Sequence, residues 1–139
     1  SGAYEFSSDN RLTLSRADIS ALAQAKAANY CGQAIVLREY GLPVDSFEKL
    51  YLAGGFANYV NESNAIGIGF IANMPIEKVQ KVGNVSLEGA VIMLLSTAKR
   101  SEIEKLTATV QHVELETAPD FFDFFVEGCM FKPMESVIS

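Results

Sequence analysis

A short apolar run that ends in two glycines is the part of this sequence best suited to chemistry. Residues 49 to 61 read KLYLAGGFANYVN, and the four residues before the glycines are apolar enough for a buried strand. Gly54 and Gly55 then suit a turn at which the backbone comes close to another group. Before a helix, such a turn presents free N–H groups and the positive end of the helix dipole to a phosphate or a ribose. The same glycines also suit a plain connection, so the turn alone leaves both interpretations open.

The pattern of a strand followed by a glycine turn occurs a second time. Residues 77 to 82 are predicted to form a short strand that leads directly into Gly83 and Asn84. Ser86 is a candidate N-cap for the next helix. Because glycine costs roughly 1 kcal/mol relative to alanine inside a helix, Gly89 predicts the close approach of a neighbouring helix or a ligand. The predicted apolar face of this helix consists of Leu87, Val91, Leu94 and Leu95.

A long helix is predicted before the first glycine turn. Ser15 and Asp18 form a capping-box pattern at its start, and Gly41 with the proline that follows provides its end. The alanine-rich residues 21 to 28 would let another element pack closely against it. Three polar side chains of this helix can either contact a ligand or face solvent. They are Gln24, Lys26 and Asn29.

The C-terminal half is predicted to alternate short helices with one further strand. Asn61 is a candidate cap for a short helix, and Ser101 is a candidate cap for a helix that continues to Val110. Residues 111 to 115 are predicted to form a strand that carries His112, the single histidine. Because no nucleophile or metal-ligand pattern stands beside this histidine, we assign it no catalytic role.

A phenylalanine-rich helix is predicted near the end of the sequence. Thr117 and Asp120 form a second capping-box pattern, and residues 121 to 125 include four phenylalanines that cover most of the helix circumference. Such a helix should be largely buried, in the core or against other parts of a longer protein. We expect the tail to cover its outer side, with self-association as the alternative. The apolar residues of the tail are Met130, Phe131, Met134, Val137 and Ile138.

Length, composition and charge describe one acidic domain. The sequence has 139 residues, of which 49% are hydrophobic and 20% are charged, and this suffices for one compact domain with a sizeable core. Its net charge of −6 argues against a nucleic-acid backbone or an anionic membrane surface as the main partner. No apolar run approaches the roughly 20 residues that span a bilayer. We therefore expect a cytoplasmic protein that binds neither nucleic acid nor a membrane.

Neither the cysteines nor the first residues predict a site of their own. Cys31 and Cys129 lie far apart in apolar surroundings, which predicts neither a disulfide framework nor a metal cluster. Residues 1 to 8 are interpreted as a cloning remnant and a lead-in, because SGA stands where an initiator methionine is expected. Residues 9 to 139 are then expected to form one C-terminal subdomain of a longer protein.

Four blocks of the sequence together resemble a known family. The blocks are LAQAKAA (22 to 28), LYLAGGFANYV (50 to 60), IGFIANMPIEKVQKVGNVSLEGA (68 to 90) and VELETAPDFFDFFVEGCMF (113 to 131). In this order they resemble the C-terminal domain of the reductive activators of corrinoid proteins, over nearly the whole chain from residue 12 onward. Four ordered blocks are far more specific than a Gly-Gly turn, and they favour the nucleotide interpretation of that turn.

The resemblance implies an α/β fold in which helices pack on a short mixed sheet. This would be the C-terminal part of an actin-like (ribonuclease H-like) ATPase domain, with residues 52 to 56 as its adenosine motif and residues 82 to 90 as its second connecting helix. The parent protein is implied to use ATP and Mg²⁺ to drive electron transfer to an inactive cob(II)alamin. The candidate nucleotide-binding residues are Gly54, Gly55, Phe56, Asn58, Gly83, Asn84, Gln24 and Lys26.

The resemblance also implies components that these residues do not supply. Members of the family carry a ferredoxin-like iron–sulfur domain, whose cluster takes four cysteines, whereas this sequence has two. The hairpins and carboxylates that hold phosphate and magnesium in actin-like sites also belong to earlier parts of the parent. The chain is therefore expected to provide the adenosine side and to bind no cofactor alone. Its implied partners are a corrinoid protein and the rest of its own chain, and the alternative is a non-catalytic module for dimerisation or corrinoid-protein docking.

Overall fold

The computed structural model describes residues 3 to 5 and 13 to 137, which form a helix-rich α/β architecture. Its strands and helices are β1 (Ala3–Glu5), β2 (Thr13–Ser15), α1 (Arg16–Tyr40), β3 (Leu50–Ala53), α2 (Glu62–Gly67), β4 (Val79–Gly83), α3 (Val85–Leu95), α4 (Thr97–Thr107) and α5 (Phe121–Gly128). Single turns of 3-10 helix lie at Val44–Ser46, Phe56–Tyr59, Ile76–Lys78 and Leu115–Thr117. The predicted α/β class is confirmed.

The strands of the described residues form two separate pairs. Strands β1 and β2 are antiparallel, with Tyr4 opposite Leu14. Strands β3 and β4 are parallel, with Leu50 opposite Val79, and the register is irregular after Leu52. Parallel strands bring their carboxyl ends to the same edge of a sheet. The two glycine turns therefore lie side by side.

Helix α1 begins and ends where the sequence predicts. The Ser15 hydroxyl accepts a hydrogen bond from the Asp18 N–H at 3.2 Å, and the Asp18 carboxylate accepts one from the Ser15 N–H at 2.8 Å. These two bonds satisfy groups that a helix start otherwise leaves unpaired. At the other end, Gly41 adopts a left-handed conformation and its N–H reaches the carbonyls of Leu37 and Arg38. The predicted capping box and glycine stop are both confirmed.

Small residues hold α1 against α5, as the alanine-rich stretch predicts. A Cβ atom on Gly128 would lie 2.9 Å from Cα of Ala27 and 3.0 Å from Cβ of Tyr30, so the two helices touch almost backbone to backbone at this point. Beside this contact, the central cluster of the core consists of Tyr30, Ala34, Ala72 and Met134. The last of these comes from the tail, and partly buried Phe124 and Val137 pack against the cluster. The tail therefore packs in the core through Met134, and the prediction that it covers the outer side of α5 is wrong, because Phe122 and Val126 remain exposed there. Ile138 lies outside the described residues.

Three of the predicted caps are wrong, and Asn61 is right. Asn61 caps α2 by accepting from the Asn64 N–H. Helix α3 is capped by Asn84 instead of Ser86, and α4 by Ser96 instead of Ser101, since the chain leaves the helical conformation at Ser96. The third wrong cap is the Thr117 and Asp120 pair, because Asp120 makes no side-chain capping bond and its carboxylate pairs with Arg38 of α1.

The predicted strand at residues 111 to 115 is wrong for a topological reason. Its alternating pattern suits a strand, but no strand of the described residues pairs with it, and the segment ends in the 3-10 turn Leu115–Thr117. The prediction of a largely buried phenylalanine helix also fails. Phe122 is 72% exposed and Val126 is 52% exposed, because α5 packs on α1 along one side only. Helix α5 is therefore amphipathic, with Phe122 and Val126 on its exposed side.

Candidate functional site

A hydrogen bond joins the two glycine turns at the carboxyl ends of β3 and β4. The N–H of Gly54 donates to the carbonyl of Gly83 at 2.7 Å. Both glycines have positive φ angles, 95° at Gly54 and 68° at Gly83, which residues with side chains rarely adopt. Ligands of open α/β sheets bind outside the carboxyl ends of the strands. The turns therefore form a candidate ligand-binding edge, and their conformation accounts for two of the glycines.

Gly55 is different, because neither conformation nor internal packing requires it to be glycine. Its φ of −62° and ψ of −37° are ordinary helical values. A Cβ atom at this position would meet no described atom within 4 Å, and the same is true at Gly54 and Gly83. The space beyond the turns is therefore open to a ligand that approaches the backbone. Gly55 is the position at which a side chain would enter that space without straining the chain.

The residues after the Gly-Gly turn form a 3-10 turn instead of the predicted helix start. Phe56 is 73% exposed, and its ring meets that of Phe70 edge-on at a centroid distance of 6.4 Å. Asn58 is exposed, and its carbonyl accepts a hydrogen bond from Nζ of Lys81 at 3.4 Å. Lys81 also forms an ion pair with Glu62 at 3.0 Å. Lys81 of β4 therefore connects the residues that follow the first glycine turn to the strand that precedes the second glycine turn.

Sequence reasoning missed the Lys81 and Glu62 pair. A hydrogen bond from its own backbone, followed by the bond from Lys81, lowers the pKa of Glu62, so the carboxylate is ionised at neutral pH. The sequence signal was weak, because a lysine on a predicted strand and a glutamate in a short helix have no fixed spacing. Only the parallel pairing of β3 with β4 brings them together.

Asn84 has a structural role that its position explains. Its side-chain oxygen accepts from the Leu87 N–H at 3.2 Å and so caps α3, directly after Gly83.

The predicted apolar residues of α3 are exposed, with Leu87 at 61% and Leu94 at 77%. A Cβ atom on Gly89 would meet nothing within 4 Å, so no described residue makes the close approach predicted there.

The polar groups of α1 lie in three different environments. Gln24 is exposed and its amide donates to the hydroxyl of Ser20 at 3.3 Å, which agrees with a position on the solvent-facing side of α1. Asn29 instead donates to the carbonyl of Phe70. Lys26 is fully buried beside Tyr30 and Phe131, so the solvent-exposed interpretation is wrong for this residue. Among the described residues, neither Gln24 nor Lys26 forms a hydrogen bond with the two glycine turns. Contact of these two residues with a nucleotide stays a prediction.

A cavity of about 300 Å³ lies between β3 and α1, behind the first glycine turn. The strand residues Leu50–Ala53 form one wall, and Asn29 and Gln33 of α1 form part of the other. Both polar side chains are already engaged. Gln33 accepts from the Ala72 N–H at 2.9 Å and donates to the Phe70 carbonyl at 3.0 Å. The cavity therefore offers mainly apolar surface.

The described residues contain no group of three or more His, Cys, Asp or Glu side chains that could hold a metal ion. Both cysteines are free thiols. Cys31 is buried and donates to the Phe121 carbonyl at 3.3 Å, and burial raises the pKa of its thiol. None of the helices in the described ranges has the length and apolar character needed to cross a membrane.

Comparison with known proteins agrees with this geometry. The family model for the C-terminal domain of RACo, the ASKHA domain, matches residues 2 to 138. The corrinoid activation enzyme RamQ of Eubacterium limosum is 30% identical over 120 residues, which represent 86% of this chain and 20% of that protein. A solved structure of a reductive activator for corrinoid, iron–sulfur protein is 33% identical, with a TM-score of 0.80 over 93% of this chain and 21% of its own.

The chain spans about a fifth of the length of these two relatives. The match of the family model nonetheless covers nearly every residue, and the helix-rich α/β architecture is the one that an actin-like fold requires. The chain belongs to the family of C-terminal, actin-like ASKHA domains of RACo-type reductive activators.

Proposed function

We propose that this chain is the C-terminal part of an ATP-dependent reductive activator of corrinoid proteins, and that it supplies the adenosine side of a nucleotide site. Its relatives carry the names of a corrinoid activation enzyme and of a reductive activator for a corrinoid, iron–sulfur protein. The observation that carries the proposal is the pair of joined glycine turns with open space beyond Gly55.

In this proposal the open edge receives the adenosine. The Gly54 N–H is occupied by Gly83, so the ligand approaches across the free side of Gly55. The exposed ring of Phe56 is the apolar group that the turn offers to a base, and Asn58 follows it on the same 3-10 turn. When bound, ATP supplies the free energy for reduction of the corrinoid cobalt. The residues of this chain bind and orient the nucleotide.

We place the magnesium site and the iron–sulfur cluster in other parts of the parent protein. The sequence has two cysteines, of which Cys31 is buried against the Phe121 carbonyl, whereas ferredoxin-type clusters take four thiolates. The metal-ligand chemistry needed beside the phosphates would likewise come from the other lobe of the cleft. This chain alone is therefore an incomplete site.

The exposed apolar faces support a proposal for where the rest of the parent packs. Among the described strands, β3 pairs only with β4, so one of its edges is free for a further strand. Exposed leucines of α3 lie beyond the second turn, with Leu94 at 77% and Leu95 at 79%. Apolar surface of this extent on a monomer marks an interaction site. In the parent it would face the remaining four-fifths of the chain.

A second candidate function is a non-catalytic module for dimerisation or for docking the corrinoid protein. The observation that favours it is the exposed side of α5, where Phe122 is 72% exposed and Val126 is 52% exposed. This surface lies on the helix that packs against α1 and not at the glycine turns. The two functions can therefore reside on different surfaces of one domain.

The isolated chain tests the half-site proposal. We expect the 139-residue chain to fold and to release no phosphate from ATP above background, because the groups that bind phosphate and metal belong to the other lobe. Phosphate release by the purified chain and by the parent, in the same assay, checks this. Hydrolysis by the isolated chain, with contaminating ATPases excluded by a second purification, would show that the site is complete without the rest of the parent.

A further inference from the structure

Lys26 is a buried cation for which the described residues provide no hydrogen-bond acceptor. Its side chain has no exposed surface, and its Nζ atom has no hydrogen-bond partner among the described residues. The Nζ atom lies 5.5 Å from the centroid of the Tyr30 ring and 5.8 Å from that of the Phe131 ring. An ammonium group removed from water is unfavourable, and two aromatic faces compensate only in part. A methionine or leucine would fill this space without that penalty.

The cover over Lys26 comes from the tail. We call residues 129 to 137 the strap. Phe131 of the strap lies over the ammonium group, and Met134 enters the core beside Tyr30. The Lys132 carbonyl lies so close to Gly69 that a Cβ atom on this glycine would overlap with it. The strap is therefore the element whose displacement would return Lys26 to water.

The other charged groups near the strap are paired with one another and leave Lys26 unsatisfied. Lys132 forms ion pairs with Glu127 of α5 at 3.5 Å and with Glu135 at 2.5 Å. Burial lowers the pKa of the Lys26 ammonium group, and the charge of an ionised Cys129 acts in the opposite direction. Burial, and then the negative charge of Glu127, raises the pKa of Tyr30 to about 12, so this phenol is neutral in the physiological range.

We propose that the strap opens and closes over Lys26, and that the unpartnered ammonium group keeps the closed form only marginally favoured. Opening hydrates Lys26 and uncovers the apolar socket of Met134, formed by Tyr30, Ala34 and Ala72. Closing buries both again. The exposed fraction of the Phe131 side chain, 44%, shows that the cover is thin on its outer side. The inference does not depend on nucleotide binding.

Hydrogen exchange of the strap in the parent protein tests this inference. In the Lys26→Met variant, the closed form keeps its packing and loses the buried charge, so exchange of the backbone amides from residue 130 to 137, of which Pro133 has none, should slow by about tenfold or more. The matched control is Gln24→Met, which makes a similar change on an exposed position of α1 and should leave strap exchange unaltered. In the unmodified protein, the strap should exchange faster than amides of α1.

The pH dependence of strap opening provides a second test of the inference. Because the closed form binds a proton at Lys26 more weakly than the open form, closure becomes more favourable as the pH rises towards 10.5, the ordinary lysine value. Cleavage within the strap by a protease follows the open population. The cleavage rate of the unmodified protein, divided by that of the Lys26→Met variant, should therefore fall as the pH rises. Comparison with the variant cancels the pH dependence of the protease.

Two results would overturn the inference. One is strap exchange that occurs only at the rate of global unfolding in the unmodified protein. The other is exchange in Lys26→Met that is as fast as, or faster than, in the unmodified protein. If Lys26→Met does not fold, Phe131→Ala replaces it, because removal of the half-exposed ring should speed strap exchange with little change in global unfolding. Unchanged strap exchange in Phe131→Ala would count equally against the inference.

Discussion

Deletion of residues 130 to 139 is expected to turn a monomer into an aggregating or dimeric species. The deletion removes Met134, which is 3% exposed and contacts the core cluster of Tyr30, Ala34 and Ala72. The uncovered surface is apolar and adds to the exposed apolar residues of the chain, of which Phe122 of α5 is one. Light scattering of the intact and the shortened chain at matched concentrations measures the change.

A pair of methionine variants separates loss of core packing from loss of tail length. Met134→Ala should reduce the free energy of unfolding by about 2 to 5 kcal/mol, as expected for a buried methionine. Met130→Ala is the matched control, because this methionine is 48% exposed and its truncation should cost less than about 1 kcal/mol. Denaturant titrations of both variants supply the values. Equal effects of the two substitutions, or a stable dimer that the deletion leaves unchanged, would contradict tail cover and favour the interaction module.

Gly55→Val is expected to weaken ATP binding to the parent protein by at least about tenfold, equivalent to about 1.4 kcal/mol. The added side chain would project into the space through which adenosine approaches, and its Cβ atom would meet no described atom within 4 Å. The φ of Gly55 is an ordinary one, so the substitution introduces no backbone strain. Gly54 and Gly83 are poorer tests, because their positive φ angles would mix strain with any loss of affinity. Titration calorimetry with ATP measures the effect.

The matched control for this substitution is Gly67→Val. Gly67 is likewise exposed, lacks a positive φ angle and has open space around its Cβ position, but it lies at the end of α2. Its substitution should leave ATP affinity unchanged. Thermal unfolding of both variants establishes that they are folded. Full ATP affinity in folded Gly55→Val would return the Gly-Gly turn to the role of a plain connection.

Local signals explain which parts of the fold the sequence predicted. The capping box of Ser15 and Asp18, the stop at Gly41 and the Asn61 cap depend on bonds within a few residues, and all three are present. Strand β3 is an apolar run that ends in Gly54 and Gly55, and β4 is a short segment that ends in Gly83 and Asn84, so their positions were also predictable. Their parallel pairing was not predicted, since spacing alone does not determine pairing and the resemblance implied only a short mixed sheet.

The wrong predictions concern features that tertiary contacts decide. Asp120 has the spacing of a cap but pairs with Arg38, which is 82 residues away in sequence. The alternation at residues 111 to 115 suits a strand, yet no described strand pairs with it. Lys26 was expected either to contact a ligand or to face solvent, whereas it is buried beside Tyr30 and beneath Phe131 of the strap.

The candidate site likewise contains some features that local sequence signals predicted and others that depend on tertiary contacts. The two glycine turns were visible in the sequence as strand ends, and the structure joins them through the Gly54 to Gly83 hydrogen bond. The tie from Lys81 to Glu62 and Asn58 was not visible, because it joins residues that only the β3–β4 pair brings together. Whether Gln24 and Lys26 approach a nucleotide depends on the second lobe, for which the sequence of this chain contains no signal.

The most direct measurement of the central claim is a map of the backbone amides that respond to nucleotide in the parent protein. Hydrogen exchange is compared with and without a non-hydrolysable ATP analogue at saturating concentration. The account predicts added protection at residues 54 to 58 and at residues 83 and 84, with little change at the exposed end of α5. Saturable binding of the analogue that leaves both glycine turns unprotected would contradict the assignment of the adenosine side to this domain.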